Sequence, residues 1–212
     1  MVAEKLGLSK TLVSLVLNGK GDEHKISKET QKKVIAIVKK LNYQPNRFAR
    51  SLRTGKTNII GLVIPDISNS FYSVIAKTIE EIVSKRGYHL IVCNTNEEEK
   101  KESNLIDTLL NWNVDGLIVA SCFASSKNYD KINKSGKPLI LIDRTFRDKK
   151  FVSITVENKL GAQLMVKHLV DLGKKHIAMI TFSNSLISPI TERKDGFVEA
   201  LSLIHISEPT RL

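Results

Sequence analysis

From residue 58 onward the chain alternates short apolar runs with amphipathic stretches: IIGLVI, 71–86, HLIVC, 100–112, GLIVA, 126–135 and PLILI. FVSITV, 158–172 and HIAMI continue the series. Apolar runs this short, without internal polar alternation, suit strands buried on both faces, and the stretches between them are long enough for crossover helices. The pattern predicts a βα repeat: an α/β domain on a parallel sheet. Gly87 and Gly173 follow two of the predicted helices where a left-handed C-cap sits.

Ligands of open parallel sheets bind beyond the carboxyl ends of the strands. Those ends carry PDISNSF, NTN, AS, IDRTF and TFSNS. They offer Asp66, Ser68, Asn69, Asp143, Arg144 and Ser183, with Phe71 and Tyr72 as flat apolar surfaces. Polar groups beside aromatic faces suit a sugar or similar polyol, whose hydroxyls need donors and acceptors and whose C–H faces stack. Asp66, Ser68 and Asn69 also read as the turn and cap of the next helix, and for that trio capping is the preferred reading.

The 212 residues carry a formal charge of +11. Residues 1–57 hold 13 Lys and Arg against 4 Asp and Glu, so nearly all of the excess lies in the first quarter. An excess so confined points to a polyanion-binding module joined to a near-neutral body. No signal peptide or 18-residue apolar run is present, so no membrane partner is expected. Cys93 and Cys122 lack CxxC or Cys/His ligand spacing and read as reduced, buried thiols. No metal, cofactor or disulfide is implied.

Within the basic segment Val2 and Leu6 share a helical face, Gly7 and Ser9 break it, and Val13, Val16 and Leu17 resume an apolar stripe. Ser9 fits the N-cap of the second helix and Ser27 that of a third, whose Val34, Val38 and Leu41 fall on one side. If the second helix buries Val13, Val16 and Leu17, its other face shows Thr11, Ser14, Leu15 and Asn18, with Lys10 at its start. Those groups could read base edges in a major groove, a cation at guanine and an apolar side chain at the thymine methyl. An ordinary solvated face is the alternative, and Leu15 argues against it.

LGLSKTLVSLVLNG, followed by ISKETQKKVIAIVKKLNYQPNRFARSLRTGKTNIIGLVIPDISNSF, closely resembles the lac repressor (LacI) family of bacterial transcription regulators. The resemblance implies an all-α, lambda-repressor-like helix-turn-helix over 1–43, with Ser9, Lys10, Thr11, Ser14, Leu15 and Asn18 in the major groove of double-stranded operator DNA. It implies a hinge helix and linker over 44–57. There Asn46, Arg47 and Arg50 hold phosphates or the groove wall, Ala49 lies with them at the minor groove, and Leu52 enters a base step and kinks the duplex. Pro45 suits the first turn of that hinge helix. The family often has Arg where this chain has Leu15, and Thr where it has Leu12.

The body resembles the periplasmic-binding-protein-like effector domain of the same family. TERKDGF matches the motif whose arginine, here Arg193, contacts the effector, and Phe71, Asp143 and Arg144 fall at pocket positions. The family usually has Asp where this chain has Glu157. By this resemblance residues 58–200 form an incomplete effector domain, and 201–212 (LSLIHISEPTRL) resemble read-through of a sequencing adapter, a tail added inside a helix beginning near Arg193. The implied protein is a bacterial, cytoplasmic, nucleoid-associated homodimer that represses transcription under control of a small-molecule effector such as a sugar. A periplasmic sugar-binding protein shares the body's fold but predicts a signal peptide and no basic helix-turn-helix. An enzyme is not expected: GxGxxG, P-loop, GxSxG and HExxH are missing, and the five histidines are scattered.

Overall fold

A computed structural model of the chain describes residues 2–41, 55–148, 150–182 and 187–203. Residues 1–55 and 56–212 form two compact units.

In the first unit α1 (Val2–Leu6), α2 (Lys10–Leu17) and α3 (Lys28–Lys40) share one core around Val2, Val13, Val16 and the fully buried Val34. The caps are local and follow the sequence. Ser9 Oγ accepts from the Leu12 amide at 3.1 Å, and Ser27 Oγ accepts from the Thr30 amide at 3.2 Å. Each satisfies a donor that the helix start would otherwise leave unpaired. Glu29 in the first turn of α3 and Lys39 and Lys40 in its last complement the helix dipole.

The second unit runs β1 (Ile59–Ile64), α4 (Ser70–Ser84), β2 (His89–Asn94), α5 (Glu99–Asn111), β3 (Gly116–Val119), a 3-10 turn (Ser126–Tyr129), α6 (Asp130–Ser135), β4 (Leu139–Ile142), β5 (Val152–Ile154), α7 (Asn158–Asp171) and α8 (Ser188–Leu203). The strands form one sheet in the order β2-β1-β3-β4-β5, and every pair is parallel. Successive β1 side chains go to opposite faces. Leu62 and Ile64 meet Tyr72 and Ala76 of α4, while Val63 meets Ile106 and Leu109 of α5. Both faces of β1 are therefore buried, which is why IIGLVI needs no polar alternation. Each such aliphatic side chain contributes about 1.5–3 kcal/mol by leaving water. Gly87 and Gly173 take φ of +77° and +75°, the left-handed geometry that closes α4 and α7.

Several sequence expectations are corrected. β5 is not a buried strand: all three of its residues are exposed, because it lies at the sheet edge with only β4 beside it. HIAMI forms no strand. Residues 174–182 carry no regular structure, and Ile180 and Phe182 are exposed. No strand among the described residues pairs with this segment, and a lone strand cannot satisfy its backbone groups. The last helix begins at Ser188, before Arg193, with Pro189 in its first turn, where a missing amide donor is harmless. That helix continues through Leu203, and Leu201 is buried against Val166, Phe197 and Ala200. Residues 204–212 lie outside the described residues.

Candidate nucleic-acid interface and effector crevice

On α2, Val13 and Val16 are buried while Ser9, Lys10, Thr11 and Asn18 are exposed and Ser14 and Leu15 half-buried. Thr11, Ser14, Leu15 and Asn18 follow one another at helical spacing, so they share a stripe facing away from the core. Leu12 and Leu17 pack on the core cluster and Leu15 does not join it. The stripe is partly preordered: Asn18 Nδ2 donates to the Ser14 carbonyl at 2.6 Å. Two carboxylates of this unit are already engaged, Asp22 with Lys28 and Gln31, and Glu29 with Lys33. Hydrogen bonds from Lys28 and Gln31 hold the Asp22 carboxyl below the usual range. Asn46, Arg47, Ala49, Arg50 and Leu52 lie outside the described residues, as does Ser183.

In the sheet, strand order reverses between β1 and β3, and the crevice beyond their carboxyl ends is the position such folds offer to ligands. The PDISN turn is held as capping chemistry requires. Asp66 accepts from the Ser68 amide at 2.9 Å and from its hydroxyl at 2.8 Å, and Asn69 Oδ1 accepts from the Phe71 amide at 3.0 Å. Asn94 Oδ1 at the end of β2 accepts from the Ile67 amide at 2.8 Å, tying the two loops together.

Beside this turn runs a polar chain drawn from three strand ends. Phe71 packs edge-on against Tyr72, with ring centroids 5.1 Å apart. The Tyr72 hydroxyl donates to Asp143 Oδ2 at 2.7 Å, and Arg144 Nε lies 3.9 Å from the same oxygen. Both terminal nitrogens of Arg144 donate to Glu97, at 2.7 and 2.6 Å. Bidentate pairing of this kind fixes orientation as well as charge. Burial is the largest single influence and opposes the Arg144 charge, but the hydrogen bonds to Glu97 and the negative charge of its surroundings together outweigh burial and keep the guanidinium protonated. Those same bonds hold the Glu97 carboxyl below its ordinary range, while burial and the nearby Asp66 charge pull the other way. Burial, joined by a hydrogen bond to Asp143, raises the Tyr72 phenol. Burial also pushes the Cys122 thiol up to about 12, so this thiol is a poor nucleophile.

Phe71, Asp143 and Arg144 are thus brought together. Arg193 is not joined to them by these contacts. It lines a cavity of about 610 Å³ with Asn158, Val166 and Phe197, and its Nε donates to Asn158 Oδ1 at 2.8 Å. A further cavity of about 590 Å³ lies between the loop after β4 and the start of α8, lined by Thr145, Arg147, Asp148, Glu192 and Asp195 among others. Ser188 Oγ accepts from the Thr145 amide across it at 2.9 Å.

Three residues that sequence reasoning passed over carry this arrangement. Glu97 clamps Arg144. Glu102, fully buried on α5, accepts from the Cys122 amide at 2.6 Å, from Ser121 Oγ at 3.1 Å and from the Tyr129 hydroxyl, holding the loop after β3 beneath the crevice. Tyr129 is itself fully buried. Glu102 did leave a signal, since it stands on the apolar stripe of its helix with Ile106 and Leu109.

Residues 57–205 match the family described as periplasmic binding proteins and sugar binding domain of LacI family, and residues 2–46 match bacterial regulatory proteins of the lacI family. The chain belongs to the LacI family. Among its LacI-family relatives, the ribose operon repressor of Halalkalibacterium halodurans is 37% identical over 94% of this chain and 58% of its own length. The crystal structure of the lac repressor dimer bound to operator and the anti-inducer ONPF superposes with a TM-score of 0.83 at 26% identity, over 99% of this chain and 62% of that one. The Cra transcriptional dual regulator of Pseudomonas putida, in complex with fructose 1-phosphate, superposes with a TM-score of 0.64 at 28% identity, over 68% of this chain and 54% of that one. The chain therefore spans about three-fifths of the length of the ribose operon repressor that it matches. Among the described residues no helix is long and apolar enough to cross a membrane, and no His, Cys, Asp and Glu group could hold a metal ion.

Proposed function

We propose that this chain is part of a cytoplasmic transcription regulator, a repressor rather than an enzyme, that binds double-stranded operator DNA as a homodimer under control of a sugar or related effector. Supporting the DNA reading, the basic first quarter carries a helix whose stripe away from the core is Lys10, Thr11, Ser14, Leu15 and Asn18. The operator-bound lac repressor dimer and the ribose operon repressor are similar to it. Residues 1–43 are the reading module, 44–57 the hinge, and Asn46, Arg47, Ala49, Arg50 and Leu52 its minor-groove contacts. Phe71, Asp143, Arg144 and Arg193 bind the effector. Control follows from coupling: an effector that prefers one of two conformations shifts their balance, and with it the fraction competent for DNA.

The observation that carries this reading is the α2 stripe, an apolar Leu15 left off the core among polar neighbours. The test is anisotropy titration of the full-length protein against a duplex it selects from a random pool. The logarithm of affinity should fall linearly with the logarithm of salt, by about 0.9 per phosphate neutralised. Lys10→Ala should cost about 1–3 kcal/mol on the selected duplex and relax selectivity at the base pair it meets. A flat slope in the parent protein would remove the DNA reading. In the same assay Leu52→Ala should lower affinity for the selected duplex by about tenfold while leaving random duplex nearly unchanged. Equal loss on both would reject the wedge.

A further inference from the structure

The effector reading leaves open whether the ligand is charged, since a free sugar and a sugar phosphate both fit the general description. The charge and hydrogen-bonding pattern around Arg144 separate them. Two carboxylates, Glu97 and Asp143, flank this one guanidinium at the strand ends, Asp66 adds its charge beside Glu97, and Glu97 already accepts from both terminal nitrogens of Arg144. The Arg144 side chain is nine-tenths buried, and its Nε has no hydrogen-bond partner. A buried donor left in that condition is costly and marks a place where a ligand atom is needed.

The group that fits must accept from Arg144 Nε and also face Asp143, whose Oδ2 lies 3.9 Å from that nitrogen. A hydroxyl does both, accepting from the arginine and donating to the carboxylate. A phosphate ester keeps sugar hydroxyls that could make this bridge, but near neutral pH it adds a charge of about −1.5 to −2 that meets Glu97 and Asp143 as like charge against like in this crevice. The neighbouring cavity repeats the imbalance, with Asp148, Glu192 and Asp195 against Arg147. A chain of net charge +11 thus has an acidic crevice, the reverse of what its DNA-binding quarter shows.

Resting on the effector reading above, we infer that this crevice selects an uncharged polyol, one hydroxyl bridging Arg144 Nε and Asp143, and discriminates against phosphorylated sugars. The Glu97 carboxylate acts as the selectivity element: it neutralises Arg144 in advance and withholds the forked nitrogens that a phosphate would otherwise take.

The experiment is isothermal titration calorimetry on the full-length protein with matched pairs: D-ribose and D-ribose 5-phosphate, D-fructose and D-fructose 1-phosphate, D-glucose and D-glucose 6-phosphate. The free sugar of at least one pair should bind about tenfold tighter than its ester, or better. Glu97→Gln should narrow that ratio by strengthening the ester. Asp66→Asn, at an exposed position, should do the same and carries the test if the first variant unfolds. An ester that binds as tightly as its free sugar, or tighter, overturns this inference and leaves the effector reading standing. Heat from neither member of any pair would sink both, while the salt dependence of DNA binding would still report separately on the first unit.

Discussion

Glu102→Ala should lower the unfolding free energy of the α/β unit by about 4 kcal/mol, a large share of the 5–15 kcal/mol that holds a typical domain together. The carboxylate is fully buried and serves three donors: the Ser121 hydroxyl, the Cys122 amide and the Tyr129 hydroxyl. Alanine removes the acceptor and leaves all three in place. The Tyr129 ring is itself locked among Phe123, Phe146 and Phe151, so its hydroxyl cannot turn to water without disturbing that cluster. Stranded donors of this kind cost about 1–3 kcal/mol each, and because they share one acceptor the costs do not simply add. Glu102→Gln keeps a carbonyl oxygen for one side of the network and should lose about half as much. Urea midpoints of the two variants check the prediction; a loss below about 1 kcal/mol for alanine would mean that water replaces the carboxylate.

The same residue shows where sequence reasoning loses sight of the site. Local rules carried far: Ser9 and Ser27 cap the helices they precede, Asn69 caps α4, and both faces of β1 are apolar because both are buried. Each of those readings needs only a few neighbouring residues. The crevice does not work that way. Tyr72 reaches Asp143 across 71 positions, Arg144 reaches Glu97 across 47, and Tyr129 reaches Glu102 across 27. Such pairs are chosen by strand order and loop length, which no short window contains. Strand content failed for a related reason. HIAMI and FVSITV have strand composition, yet a strand is stabilised by its neighbours; VSI has one partner, β4, and HIAMI has none among the described residues.

Gly196→Val should separate α7 from α8 and cost about 3 kcal/mol or more. A Cβ at Gly196 would stand 2.3 Å from the Lys159 carbonyl oxygen and 3.0 Å from its carbon, both backbone atoms of α7 that cannot rotate aside. The helices must part by about 1 Å to restore ordinary contact, and close-packed interiors forfeit much of their dispersion energy over such a gap. Phe197, Ala200 and Leu201 would then lose their fit against Val166. Arg193 lies one turn before Gly196 on the same helix, so the shift also draws its Nε away from Asn158 Oδ1, now 2.8 Å distant. Gly196→Ala meets the same oxygen with one carbon and should show a smaller form of both effects. Chemical denaturation reads the stability loss, and titration with the tightest sugar of the panel reads the displaced arginine. If valine is tolerated with unchanged stability and affinity, then the close crossing of these two helices does not position Arg193, and its geometry must come from elsewhere in the second unit.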